Sequence, residues 1–250
     1  MDLQQICNDV CTLSKEVGSF IRAEQIKITS ASIETKSENS LVTYVDKTAE
    51  KKIVEKLKEL IPGCGFITEE ETASHTNEDY IWIIDPLDGT TNFIHGIPCY
   101  CVSIGLMHKQ KLVLGVIYEP NMDECFYSWE GANAFMNGKQ IHVSKTTKLK
   151  NSLVATGFPY YDYEQSDEYI DLLKHLMKNC RGLRRIGSAA VDLAYVACGR
   201  FDSFYEYSLN PWDVAAGAFI VQQAGGKAVS YTHLRAHETK ANLVCRLLLE

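Results

Sequence analysis

Between residues 80 and 128 the chain takes on strand character and keeps it. The segments 80–85, 101–107, 112–118 and 124–128 are rich in Ile, Val, Tyr and Phe and are separated by Gly, Pro or Asn. Apolar runs of this length bounded by turn residues are strands, and a sheet with an apolar face must be covered by another layer. Helical patterns on either side supply the cover. Leu3, Ile6, Cys7, Val10, Leu13, Val17 and Phe20 recur at helical spacing, which predicts an amphipathic opening helix. Residues 41–45 (LVTYV) read as a short strand, Asp46 as the cap of a helix over 47–60, and Pro62-Gly63 as its stop. After the strand-rich region the pattern predicts a strand at 152–156, a helix over 163–179, a helix over 188–198 ended by Gly199 and a strand at 201–205. A last helix begins at Pro211 and has Gly225-Gly226 just past its end. Helices and strands alternate in blocks, without a strict βαβ rhythm, an internal repeat or a low-complexity linker. The expected fold is a mixed, layered α/β architecture.

The 250 residues, 46% hydrophobic and 23% charged, suffice for one large domain or two tightly packed lobes. A net charge of -7 argues against a nucleic-acid or acidic-membrane partner. It also means that a phosphate substrate would require borrowed positive charge, and metal ions are the usual source. Met1 to Gly18 is charged throughout, unlike a signal peptide, and no apolar run is long enough to cross a bilayer. The expectation is a soluble, cytoplasmic protein. The nine cysteines show no paired C-x-x-C array, so they are expected to be free thiols and not a zinc site.

The most informative stretch is WIIDPLDGTTNF, residues 82–93. An apolar strand runs into Asp85 and Asp88, with Pro86 fixing the backbone and Gly89 letting it double back. Two carboxylates converging on one point repel unless a cation compensates them, and a hard divalent ion with oxygen ligands does so. Taken alone, an Asp-rich turn with a helix cap accounts for the same residues. Three further features accompany it. Thr68-Glu69-Glu70-Glu71 follows the apolar Phe66-Ile67, Asp213 stands in the first turn of an otherwise apolar helix, and Lys36-Ser37 and Asp46 bracket the early LVT strand. Each has an ordinary explanation: a solvated acidic loop, a helix-dipole contact, or an exposed charge and a cap.

Together they resemble the inositol monophosphatase family of magnesium-dependent, lithium-sensitive phosphatases. The similar segments are LVTYVD at 41–46, FITEEE at 66–71, WIIDPLDGTTNFIHGIP at 82–98, IGSAAVDLAYVACGRFDSFYE at 186–206 and NPWDVAAGAFIVQQAGG at 210–226. The likeness runs from about residue 3 to about 230. Thr68 departs from the Gly of many members. The resemblance implies an αβαβα sandwich of the inositol monophosphatase and fructose-1,6-bisphosphatase superfamily, and a Mg2+-dependent phosphomonoesterase acting on inositol monophosphate or a similar small polyol phosphate.

By the same resemblance, Glu69, Asp85 and the Leu87 carbonyl hold one Mg2+, and Asp85, Asp88 and Asp213 hold a second. A third, weaker ion would lie near Lys36, whose ordinary reading is a solvated lysine. Two metals can activate the attacking water and stabilise the departing alkoxide. Thr90 is expected to orient that water with Asp46 accepting from its hydroxyl, a turn-stabilising bond being an equal alternative; Glu69 joins them in the catalytic set. Gly89, Thr90 and Thr91 offer backbone N–H groups to phosphate oxygens. Asp88, Glu206, Ala189 and Asp213 are expected to contact the substrate, Glu206 lying just after the FDSFY strand. Arg181, Arg184 and Arg185 read as a solvated basic face, and the aromatics of 158–163 as core or dimer contacts. A homodimer is the family's usual state, with the segment 94–101 as a contributor.

Residues 231–250 do not resemble the family's ending. The expected division is therefore a family-like domain over 1–230 and a foreign or truncated tail, a short helix over 240–250 being the competing reading. Alternative functions are a related phosphatase for fructose 1,6-bisphosphate, histidinol phosphate or an adenosine 3′,5′-bisphosphate, or a metal-binding dimer module without turnover.

Overall fold

In the computed structural model, residues 1–28, 33–37, 40–73, 78–158, 166–230 and 241–245 are described. For 33–37, 40–42, 230 and 241–245 the backbone alone is described. The helices are α1 (Leu3–Gln25), α2 (Tyr44–Leu60), α3 (Thr90–Ile94), α4 (Ser166–Asn179), α5 (Ala189–Ala197) and α6 (Pro211–Gln223). The strands are β1 (Ile33–Ser37), β2 (Ser40–Thr43), β3 (Gly65–Thr68), β4 (Tyr80–Asp88), β5 (Cys101–His108), β6 (Lys111–Glu119), β7 (Glu124–Trp129), β8 (Phe135–Met136), β9 (Lys139–Gln140), β10 (Leu153–Thr156), β11 (Gly182–Arg184), β12 (Ser203–Leu209), β13 (Ala228–Ser230) and β14 (Ala241–Cys245).

The strand-rich region forms one seven-stranded sheet in the order β3-β4-β5-β6-β7-β8-β9, antiparallel except for the parallel β3–β4 pair. Its two faces are both apolar and are covered separately. Ile6, Val10, Leu13, Val17 and Ile21 of α1 and Ala49, Ile53 and Leu57 of α2 pack with Trp82, Ile84, Val102, Ile104 and Leu106 on one face. Cys101, Ile117 and Phe126 point the other way, into a second core with α5 and α6. The period-2 alternation of strand side chains produces this division.

A second sheet, in the order β11-β10-β12-β14-β13, lies against α5 and α6. Val154 and Tyr205 of this sheet share a third core with Tyr169 and Leu176 of α4. The layers thus run α1/α2, sheet, α5/α6, sheet, α4, the αβαβα sandwich expected. No helix among the described residues is long and apolar enough to cross a membrane.

α6 is apolar on all sides because it lies between sheets, with every residue from Val214 to Val221 buried. Its approach depends on Gly105 and Gly115, which face each other across β5 and β6. A β-carbon on Gly115 would lie 2.7 Å from the Ala216 carbonyl oxygen. The absence of side chains there seats α6 close to the sheet and brings Asp213, in its first turn, toward the β4 carboxylates.

Several expectations need correction. Asp46 is not the cap of α2: Thr43 is, its hydroxyl accepting from Val45 N–H at 3.1 Å, while Asp46 answers from the N3 position by accepting from Thr43 N–H at 2.9 Å. β4 does not end at Asp85 but continues to Asp88, because a bulge takes up Pro86, which has no N–H to offer. Glu206 lies within β12, not after it, since the strand continues by pairing with β14. Residues 241–245 form a strand, not a helix, and this strand sits between β12 and β13. Residues 231–240 and 246–250 lie outside the described residues, as do 159–163 of the aromatic segment. Lys36 is in β1, with its side chain outside them too. Within the 94–101 segment Tyr100 is wholly buried and packs edge-on against Phe93, whereas Ile97 is exposed.

Candidate active site

The bulge in β4 carries the centre of the site. Asp85 pairs with Ser103 and Asp88 with Cys101, so two residues on β4, Pro86 and Leu87, oppose the single Val102 on β5. Asp85 Oδ1 accepts from Leu87 N–H at 3.0 Å, folding the carboxylate back over the bulge. Asp85 and Leu87 are buried, and Glu69, Asp88 and Asp213 are half-buried at a cavity of about 140 Å³. Glu69 follows β3, whose parallel pairing with β4 continues through Glu69 N–H to the Ile84 carbonyl at 3.3 Å. Asp213 occupies N3 of α6 and accepts from Asn210 N–H at 2.6 Å in a capping box. Four carboxylates from three separate segments thereby face one another.

The electrostatics show the strain of that arrangement. Burial, then the charges of Glu69, Asp88 and Asp213, hold the Asp85 carboxyl well above the usual carboxylate range. Asp213 is pushed up by burial and then by Asp88, against the pull of Asn210 N–H. Asp88 is raised by burial and partly relieved by the Ser188 hydroxyl, which donates at 2.7 Å, and Ala190 N–H, at 2.6 Å. Among the described residues no group of three or more carboxylates, thiols or imidazoles is arranged to hold a metal ion by itself. The charged groups acting most strongly on Asp85 and Asp213 are themselves carboxylates, so a divalent cation suits the donor set.

Gly89 turns the chain with φ 97°, a left-handed conformation that favours glycine, and starts the short helix α3. Thr90 Oγ1 lies 3.0 Å from both Asp46 Oδ1 and the Leu87 carbonyl. With a single proton, it donates to one of them at a time. Asp46 is 1% exposed and its carboxyl is raised by burial, which the bonds from Thr43 and Thr90 oppose. Thr91 is exposed beside it. On the far wall, Ala189 starts α5 behind its Ser188 cap, and Glu206 is buried on β12; both line the cavity.

Four further residues belong to this site. Glu50, one turn along α2 from Asp46, is completely buried and accepts from Glu70 N–H at 2.8 Å, Thr72 N–H at 2.9 Å and the Thr72 hydroxyl at 2.7 Å. It anchors the loop that carries Glu69. The i, i+4 spacing to Asp46 was a legible sign that the two share a helix face. Gly157, Asp192 and Arg185 also line the cavity. Arg185 is exposed, as a residue of a solvated face is, and also borders the cavity. Nothing in the local sequence pattern distinguished these three.

The sequence model of the inositol monophosphatase family matches residues 2–246. A Pseudomonas aeruginosa protein named Nus factor SuhB is 37% identical over 247 residues, covering 97% of this chain and 91% of the relative. An inositol-1-monophosphatase of Mesorhizobium japonicum is 37% identical over 222 residues, covering 88% of this chain and 84% of its own. The solved inositol monophosphatase of Anabaena (Nostoc) sp. PCC 7120 superposes with a TM-score of 0.84 at 36% identity, covering 98% of this chain and 92% of that one.

Proposed function

Because the chain belongs to the inositol monophosphatase family, we propose that it is a magnesium-dependent phosphomonoesterase acting on inositol monophosphate or a similar small polyol phosphate. The observation that supports this reading is the convergence of Glu69, Asp88 and Asp213 on a cavity whose other wall carries Glu206, with Asp85 buried within reach of their charges. Glu69, Asp85 and the Leu87 carbonyl would hold one Mg2+, and Asp85, Asp88 and Asp213 a second, with a third, weaker ion part of the same proposal. Bound magnesium supplies positive charge for the entering and leaving oxygens of a phosphoryl transfer.

The protein's own groups supply position. When the Thr90 hydroxyl donates to Asp46, its lone pairs are left to accept from a water at the carboxylate end of the cavity. Backbone N–H groups of Gly89, Thr90 and Thr91 at the start of α3 suit phosphate oxygens. Asp88 has Oδ2 engaged by α5, so Oδ1 is the atom available to a ligand. Glu206 and the start of α5 at Ala189 would face the polyol. A homodimer is part of the proposal. The expectation of no nucleic-acid partner rests on the net charge of -7, and the name Nus factor on a relative makes it a point to test separately.

The experiment is phosphate release from inositol 1-phosphate with and without millimolar Mg2+, beside Asp88→Asn. Release that requires Mg2+ and disappears in the variant is expected. A folded wild type that releases nothing from this substrate overturns the assignment for inositol phosphate and directs the panel to sugar and nucleotide bisphosphates.

A further inference from the structure

Asn92 is the third residue of α3 and does not line the cavity, yet it ties together segments that build it. It is 5% exposed, and its Nδ2 donates to the Cys99 carbonyl and to the Ile186 carbonyl, each at 2.7 Å. Two carbonyl oxygens facing one amide fix its orientation, because only the NH2 group has two protons to give. One proton goes to the segment that leads into β5, the other to the turn that leads into α5. A shift of either segment away from α3 would strand a proton of the buried amide.

Glycines bring the two turns into contact. Gly89 and Gly187 both have left-handed backbone, with φ 97° and 89°. A β-carbon on Gly187 would lie 2.9 Å from Asn92 Nδ2. One on Gly89 would lie 3.1 Å from the Cys99 carbonyl oxygen and 3.3 Å from that of Gly187. The turn into α3 and the turn into α5 therefore abut, with Asn92 bonded across the joint.

The second turn is gripped from both ends. Ser188 O–H and Ala190 N–H donate to Asp88 Oδ2 after Gly187, and Asn92 holds Ile186 before it. Asp88 is shared with the proposed metal, whereas both amide protons of Asn92 serve the joint alone. On one side of that joint stand Asp88 and the Gly89–Thr91 turn, which the phosphatase reading gives to metal and phosphate. On the other stand Gly187, Ser188 and Ala189, which line the polyol end of the cavity.

We propose that Asn92 is a positioning residue that sets the spacing between the phosphate end and the polyol end of the site without touching substrate. This rests on the phosphatase reading and deepens it: a substrate anchored at both ends depends on Asn92, and one anchored only by its phosphate does not.

The test compares inositol 1-phosphate with 4-nitrophenyl phosphate, whose ring carries no hydroxyl, in wild type, Asn92→Ala, Asn92→Asp and Asn92→Ser. The ratio of kcat/KM for inositol 1-phosphate over the aryl phosphate is expected to fall about tenfold in Asn92→Ala, as a small misplacement of bound groups does. Asn92→Asp sets a carboxylate against two carbonyl oxygens and should lose at least as much, while Asn92→Ser keeps one donor and should lose less. In EDTA, amide exchange across 186–190 should quicken in Asn92→Ala while that of α6 keeps its wild-type rate. A constant ratio, the loss of both activities together, or exchange that quickens uniformly confines Asn92 to folding and overturns the proposal. A wild type that hydrolyses neither substrate overturns the phosphatase reading itself, an outcome distinct from a constant ratio.

Discussion

The α-carbon of Gly157 faces the carboxylate of Glu206 with no room between them for a methyl group. Gly157 follows β10 and Glu206 lies on the parallel neighbour β12, so the pairing of these strands creates the contact. Gly157→Ala should displace the Glu206 carboxylate and raise KM for inositol 1-phosphate about tenfold, with a smaller effect on kcat. Steady-state kinetics of Gly157→Ala, Glu206→Ala and the double variant test it. If Glu206 is the route, the double variant is no worse than Glu206→Ala alone.

Asp46 serves two elements, the cap of α2 and the hydroxyl of Thr90, and variants separate them. Thr90→Val leaves the capping box intact and should lower kcat about 10²- to 10³-fold with little change in stability. Asp46→Ala should lose kcat as well as about 2 kcal/mol of stability through the broken capping box. Urea denaturation alongside kinetics decides the matter. A Thr90→Val variant with full kcat would leave the threonine a turn-stabilising role alone.

Glu50 is a positioning residue for the loop bearing Glu69. Glu50→Ala strands two half-buried amides and a hydroxyl, and should weaken Mg2+ binding about tenfold by titration calorimetry, as the loss of outer support for a metal ligand commonly does. Glu50→Gln, which retains an acceptor, should recover part of that. Unchanged Mg2+ affinity in a destabilised variant would confine Glu50 to folding.

Burial, then Glu206 and Asp88, raise the Asp192 carboxyl well above the usual range, with Arg185 opposing. The fold therefore favours the protonated acid. That stabilisation is full below the unfolded-chain value of about 3.9 and is lost as pH rises through the raised value. Asp192→Asn cannot ionise, so in EDTA it should melt a few degrees above wild type at pH 8 and together with it near pH 4. Melting curves at the two pH values check the sign; a gain at pH 4 alone would contradict it.

Much of this protein is written locally. The periodicity of 3–20, the four strand-rich segments, Pro211 at a helix start and Gly225-Gly226 at its end all specify elements through contacts within a few residues, and the elements form near their expected bounds. The acids Glu69, Asp85, Asp88 and Asp213 stand out in the sequence because each lies beside a marked change in composition. Tertiary structure decided how these pieces meet. The pairing of Gly105 with Gly115 seats α6 close enough to aim Asp213, and the extension of β12 places Glu206 inside a strand. The same packing binds Thr90 to Asp46 across 44 residues and buries Asp192 Oδ1 without a hydrogen-bond partner among the described residues. Element type follows from short-range sterics and periodicity, whereas the partner of a buried polar group depends on which layer lies against it.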